Sequence, residues 1–241
     1  MTKRTILLAF ITFSAFAGIY GEDLPDWYTS FRDALYSQVL SSQEMMGLYT
    51  AAQEQAKKEL SGPELLVMLS RCEYIMARAF LYETKKDQAD PYFVRGMDYA
   101  QKSIDQKPAA EGWRMLAENI SQLCTIRSTG WVLANGTKVE KYSKNALALD
   151  PGNTAAQYMI AARYVYAPAP FHSYNKGIQM MQDIIKNYDN RLQKDDRFNV
   201  YSAIGYALIQ QKKNSDAKPW LQKALEVYPD NKYVGKLLAG L

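Results

Sequence analysis

Apolar side chains return at intervals of three and four along most of this chain, the spacing of one face of an α-helix. Near the end, Tyr201, Ile204, Gly205 and Leu208 share such a face; Ala217, Leu221 and Ala224 share the next, and Pro229 follows as a stop. Proline ends a helix because it lacks the backbone N–H and its ring meets the carbonyl four residues back. Strand-like alternation is missing over any useful length, so the pattern predicts an all-α chain. Two helices are expected at about Trp27 to Leu40 and Gln43 to Leu60. Ser61-Gly62-Pro63-Glu64 then reads as a capping box that opens the next helix.

The stop at Pro229 has a double. Ala146 to Asn153 reads ALALDPGN and Ala224 to Asn231 reads ALEVYPDN, both Ala-Leu-x-apolar-x-Pro-[Gly/Asp]-Asn. Repeated punctuation implies a repeated unit. Walking the same register upstream gives Trp113, Leu116, Ala117 and Ile120 with Val139, Ser143, Ala146 and Pro151. It also gives Gln157, Ile160, Ala161 and Tyr164 with Gly177, Met181 and Ile184, and Met76, Ala77 and Phe80 with Gly96, Ala100, Ser103 and Pro108. Small residues let paired helices approach, large ones fill the space between them, and Pro ends the pair. This order of large, small and Pro positions resembles the tetratricopeptide repeat. The resemblance implies a right-handed α-solenoid of about four helix pairs over residues 63–241. A helix pair at 22–62 precedes it, and Asn231 to Leu241 acts as a cap, since the exposed ends of a solenoid need covering.

The turns inside the first three pairs are longer than the standard repeat has. TKKDQADPY lies between Phe80 and Gly96, RSTGWVLANGTK between Ile120 and Val139, and YAPAPFHSYNKG between Tyr164 and Gly177. Insertions at one place in each repeat fall on one edge, so three extended loops are expected to line up as a rim. Within them Asn135-Gly136-Thr137 reads as a turn, or as a glycosylation acceptor in a eukaryotic secretory route. Trp113, the Gly130 to Gly136 segment, the run from Lys141 to Pro151 and the run from Ala161 to Pro168 together resemble a subgroup of these repeat proteins. That subgroup includes bacterial exported proteins and is similar to the regulator-of-microtubule-dynamics family. The resemblance covers about Tyr92 to Asp189 and implies a helical scaffold with no catalytic residues to carry over. Nothing in the sequence itself points to microtubules.

Composition narrows the function classes. Hydrophobic residues make up 48% and the net charge is +4, with no basic stripe that would suit nucleic acid. Lys3 and Arg4, an uncharged run from Thr5 to Gly21 and then acids read as a secretory signal peptide over 1–21. Ala15-Phe16-Ala17 and Ile19-Tyr20-Gly21 are the candidate cleavage sites. The run is short for a membrane span, which needs about 20 residues, so membrane contact is expected only if it stays uncleaved. The mature chain reads as exported, with the periplasm the expected compartment. Cys72 and Cys124 cannot make a disulfide framework and are expected as buried free thiols. His172 is the only histidine and has no partners in sequence for metal or triad chemistry, so it reads as a loop residue. No phosphate loop, nucleophile elbow or zinc motif occurs, so neither an enzyme, a metal nor a cofactor is expected.

The first helix of each pair should line the concave surface. Stepping from the packing positions places Arg71, Tyr74, Arg78, Tyr82, Arg114, Glu118, Tyr158, Tyr166 and Tyr206 there, with Gln122, Ala162, Ser202 and Gln210 beside them. Tyr and Arg are the residues most enriched at binding hot spots. The carboxylate clamp of chaperone-binding repeats needs Lys and Asn at several of these places, so binding of a free C-terminal carboxylate is not expected. The reading is therefore a non-enzymatic scaffold that holds a protein or peptide partner in its groove and loop rim. The alternative is a small-molecule-binding accessory of a transport system, its Tyr- and Met-rich helices enclosing an apolar cavity.

Overall fold

The computed structural model describes residues 24–241. Among them are α1 (Asp26–Ser37), α2 (Ser42–Glu59), α3 (Gly62–Tyr82), α4 (Lys86–Gln106), α5 (Ala110–Ile126), α6 (Thr129–Leu149), α7 (Thr154–Tyr166), α8 (Tyr174–Tyr188), α9 (Lys194–Gln210), α10 (Asn214–Val227) and α11 (Lys232–Ala239). The described residues contain no strand. The expected signal segment, 1–21, lies outside them. No described helix is long and apolar enough to cross a membrane.

Each helix packs on its successor, and α3, α5, α7 and α9 also touch one another in turn. These four make one wall of an all-α solenoid. The packing positions read from the sequence sit between the helices: Ala77, Ala100, Ala117, Ala146, Ala161, Met181, Ile204, Ala217, Leu221 and Ala224 are fully buried. Close approach is why small residues stand there. A Cβ on Gly205 would lie 2.5 Å from Leu221 Cδ2, and one on Gly96 would lie 2.4 Å from the Asn119 amide oxygen.

Both proline stops end in a capping asparagine. Asn153 Oδ1 accepts from the Ala156 N–H at 2.9 Å to start α7, and Asn231 Oδ1 accepts from the Val234 N–H at 3.0 Å to start α11. Each amide then donates across the fold, Asn153 to Glu111 at 2.7 Å and Asn231 to the Tyr36 carbonyl at 2.6 Å. The repeated octapeptide thus turns the chain and also ties the turn to another helix.

Three sequence expectations are corrected. The capping box stands at Ser41 and Glu44, not at Ser61 and Glu64. Ser61 caps nothing, and Gly62 takes the left-handed conformation (φ 54°) that glycine alone adopts without strain. Two of the three expected loops are helix. Most of TKKDQADPY forms the start of α4 with Pro91 inside it, and most of RSTGWVLANGTK forms the start of α6. Asn135 is therefore no turn residue; its side chain donates to the Trp131 carbonyl within α6 at 2.9 Å. Only residues 167–173 remain a loop, so no rim of three loops exists. Cys72 is a buried free thiol as expected, its pKa pushed up to about 12 by burial, whereas free Cys124 is only partly buried.

Candidate functional site

The wall of α3, α5, α7 and α9 curves around α1. That helix touches both α3 and α9, which α5 and α7 separate. Its sequence suits the position, because Tyr28, Phe31, Arg32, Leu35 and Tyr36 recur at three and four and are all buried. Arg71 of α3 lies over the Tyr28 ring at 5.5 Å. At the other end of α1, Tyr36 stacks on Tyr228 at 5.2 Å and meets Phe198 edge-on at 5.5 Å. Polar bonds fix the register: Lys194 to Asp33 at 2.8 Å, Tyr228 Oη to Asp33 at 2.7 Å, and Arg32 to Asp195 at 3.1 Å. Part of the groove expected to be open is filled by the chain's own first helix.

Between α1 and the wall lies a chamber of about 90 Å³, room for several waters, where charged groups stand among Tyr28, Ile75, Met115 and Met159. Glu111 lines the chamber and is the shared acceptor of its hydrogen bonds. It accepts from Arg114 Nη2 at 2.7 Å, from Arg71 and from Asn153, while Arg114 Nη1 donates to Glu118 at 2.6 Å. Burial pushes the Glu111 carboxyl up, but the two guanidiniums outweigh it and hold the group well below the usual carboxylate range. Glu118 shifts the other way, since its burial exceeds the attraction of Arg114. Asp196 is raised to about 7 by burial and by the adjacent charge of Asp195, against a hydrogen bond from the Thr154 hydroxyl at 2.7 Å. Arg71 Nε has no acceptor there.

Beyond the end of α1 the wall is open and lined with tyrosine. Tyr166 and Tyr206 stack at 5.3 Å, and the Tyr158 and Tyr166 hydroxyls are hydrogen-bonded to each other. Tyr82 is 38% exposed, Tyr166 48% and Tyr233 of α11 42%. Arg78 stands where the open and filled parts meet. Its guanidinium donates to Tyr36 Oη at 3.0 Å, to Tyr74 Oη at 3.5 Å and to Tyr82 Oη. The same group lies over all three rings, at 5.0, 5.7 and 5.2 Å.

The structure therefore splits the expected inner-face residues. Arg71, Arg114 and Glu118 belong to the chamber; Tyr82, Tyr166 and Tyr206 belong to the open wall; Tyr74, Arg78 and Tyr158 join the two. Ala162 and Ser202 are buried in packing. Sequence reasoning missed Tyr28, Arg32 and Tyr36 of α1, Glu111, Asp195, Asp196 and Tyr233. Arg32 was the available signal, since a cation on the apolar stripe of an amphipathic helix needs a buried anion. His172 sits in the remaining loop and stacks on Tyr174 at 4.6 Å.

Fold and wall together define the class: an all-α helical solenoid wrapped around its own first helix. The chain belongs to the regulator of microtubule dynamics protein 1-3 family, whose sequence profile matches residues 31–237. That match runs from within α1 to α11 and so exceeds the Tyr92 to Asp189 stretch that carries the resemblance in sequence. No individual curated protein matches the chain.

Proposed function

We propose that this chain is a non-enzymatic scaffold of tetratricopeptide type that binds a protein or peptide partner on the open part of its inner wall. One observation carries the reading. Tyr82 and Tyr166 are left exposed on a wall that α1 covers in part, and Tyr233 of α11 is exposed as well. Tyrosine offers a large amphipathic contact with little side-chain entropy to lose, which suits it to binding surfaces. The repeat scaffold, the leader-like first residues and the subgroup resemblance support a partner in the cell envelope. Against the rival reading, an apolar cavity serving a transport system, stand the chamber's volume of about 90 Å³ and the Arg71, Arg114, Glu111 and Glu118 charges among its apolar lining.

The test is retention of envelope proteins by the immobilised chain, beside a Tyr166→Ala/Tyr206→Ala variant with an unchanged thermal melt. A partner held by the first and lost by the second is expected. A partner held equally by both would move binding off this wall.

A further inference from the structure

Arg78 differs from the other described arginines. Arg32, Arg71, Arg95, Arg114, Arg127, Arg163, Arg191 and Arg197 each have a carboxylate within ion-pair distance. Among the described residues Arg78 has none, only phenol oxygens and ring faces. Those phenols compound the imbalance. Each accepts from the guanidinium, and Tyr36 Oη accepts from Asn199 Nδ2 as well, at 3.0 Å. A hydroxyl that has accepted still carries a proton to donate. No described acceptor takes the protons of Tyr36, Tyr74 or Tyr82. The cluster thus holds a surplus of donors around one uncompensated positive charge. The nearby acids cannot relieve it, because Glu118 is committed to Arg114 and Asp195 to Arg32. Tyr82, which borders the seat, is exposed, so a ligand can reach it from the open wall.

We propose that Arg78 and the hydroxyls around it seat the carboxylate of an acidic side chain within a partner peptide. An aromatic or aliphatic neighbour of that acid packs on the Tyr166–Tyr206 stack. The proposal rests on the peptide-binding reading and adds the partner's chemistry to it. A carboxylate satisfies the donor surplus by accepting from the guanidinium and from phenol hydroxyls, and such charge-assisted bonds are the stronger kind. The stacked tyrosines supply the apolar contact area that a lone ion pair lacks. The seat differs from a clamp for a chain terminus in having a single cation, enough for one internal Asp or Glu.

The experiment selects short random peptides, fused through their C-termini so that no free terminal carboxylate is offered, on the full chain. Enriched sequences are then made as C-terminally amidated peptides and measured by fluorescence polarisation. The expected result is enrichment of Asp or Glu beside an aromatic or aliphatic residue. Exchanging that acid for its amide should weaken binding by roughly tenfold or more, the scale of a charge-assisted hydrogen bond. The same exchange should change little against Arg78→Gln. Because the exchange is made on the peptide, the result stands even if that variant folds poorly. Enriched peptides that need Tyr166 and Tyr206 but show no preference for an acid would overturn the seat and leave peptide binding intact. A parallel library with free C-termini that binds only through them would overturn the internal acid. With no peptide enriched, flotation with phosphatidylglycerol vesicles but not neutral ones would overturn both readings in favour of a lipid surface. Binding to neither would overturn both as well.

Discussion

Arg114 and Arg78 stand on the same inner wall, on α5 and α3, and meet opposite fates. Arg114 is buried between two carboxylates under α1, with Asn153 and Arg71 completing the network around Glu111. Arg78 lies at the edge of α1 among phenols, with an open tyrosine surface beyond it. The filled part of the wall has paired its guanidiniums with carboxylates and covered its aromatics. The open part has done neither. Groups that a protein leaves unpaired where it could have paired them are better explained by an absent partner than by stability.

Four measurements would break or sharpen that contrast. The largest effect is expected in the chamber: Glu111→Gln leaves the Arg71 guanidinium without a carboxylate and Arg114 with Glu118 alone, and should lower unfolding free energy by roughly 3–5 kcal/mol. Urea denaturation followed by circular dichroism reads it, and a loss near zero would mean that the network is solvated rather than structural. Next comes pH. The Asp196 carboxyl titrates at about 7 in the folded chain against an ordinary 3.8, so between those values the folded state holds a proton that the unfolded state has released. Stability from this group is complete below pH 4 and falls as pH rises through 7, by on the order of 2–4 kcal/mol. Glu111 runs the opposite way, its contribution being lost as pH falls from the ordinary carboxylate range toward its depressed value. Asp196→Asn should flatten the decline between about pH 4 and 7; an unchanged slope would assign it elsewhere.

At the junction, Tyr36→Phe removes an acceptor shared by Arg78 and Asn199 and should cost about 1–2 kcal/mol. The same variant leaves Arg78 freer for a ligand carboxylate, so peptide affinity should hold or rise while stability falls. A parallel loss of both would show that the seat needs Tyr36. The smallest stability effect belongs to the open wall, where Tyr166→Ala should stay within about 0.5–1 kcal/mol of the parent while binding is lost. A large drop in the melt would mean that these rings are core.

Much of the fold is legible in sequence. Ala77, Ala117, Gly205 and Leu221 occupy their packing positions because helix periodicity and residue size fix which side chains lie between neighbours. The inserted stretches misled for a local reason: Pro91 and Asn135-Gly136 are turn signals, yet each lies in a helix whose packing outweighs local preference. The site was half legible. Register placed Arg78, Tyr158 and Tyr206 on one wall, but no periodicity says that Arg32 and Tyr36 dock against α9 and the turn after α10. Contacts between residues so far apart leave no local signature.

The bonds made by α1 also change how the whole chain should fold. A solenoid held by neighbour contacts alone behaves as a one-dimensional chain that can nucleate anywhere and fray from either end. Here Asp33, Tyr36 and Gln38 reach Lys194, Tyr228, Asn231 and Tyr233, so the first helix is fastened beside the last. The line becomes a ring. Such contacts carry a large loop-closure entropy and form late, which slows folding but couples the ends. Amide protons of α11, which would exchange early in an open solenoid, should then exchange together with those of α3, in one cooperative unit.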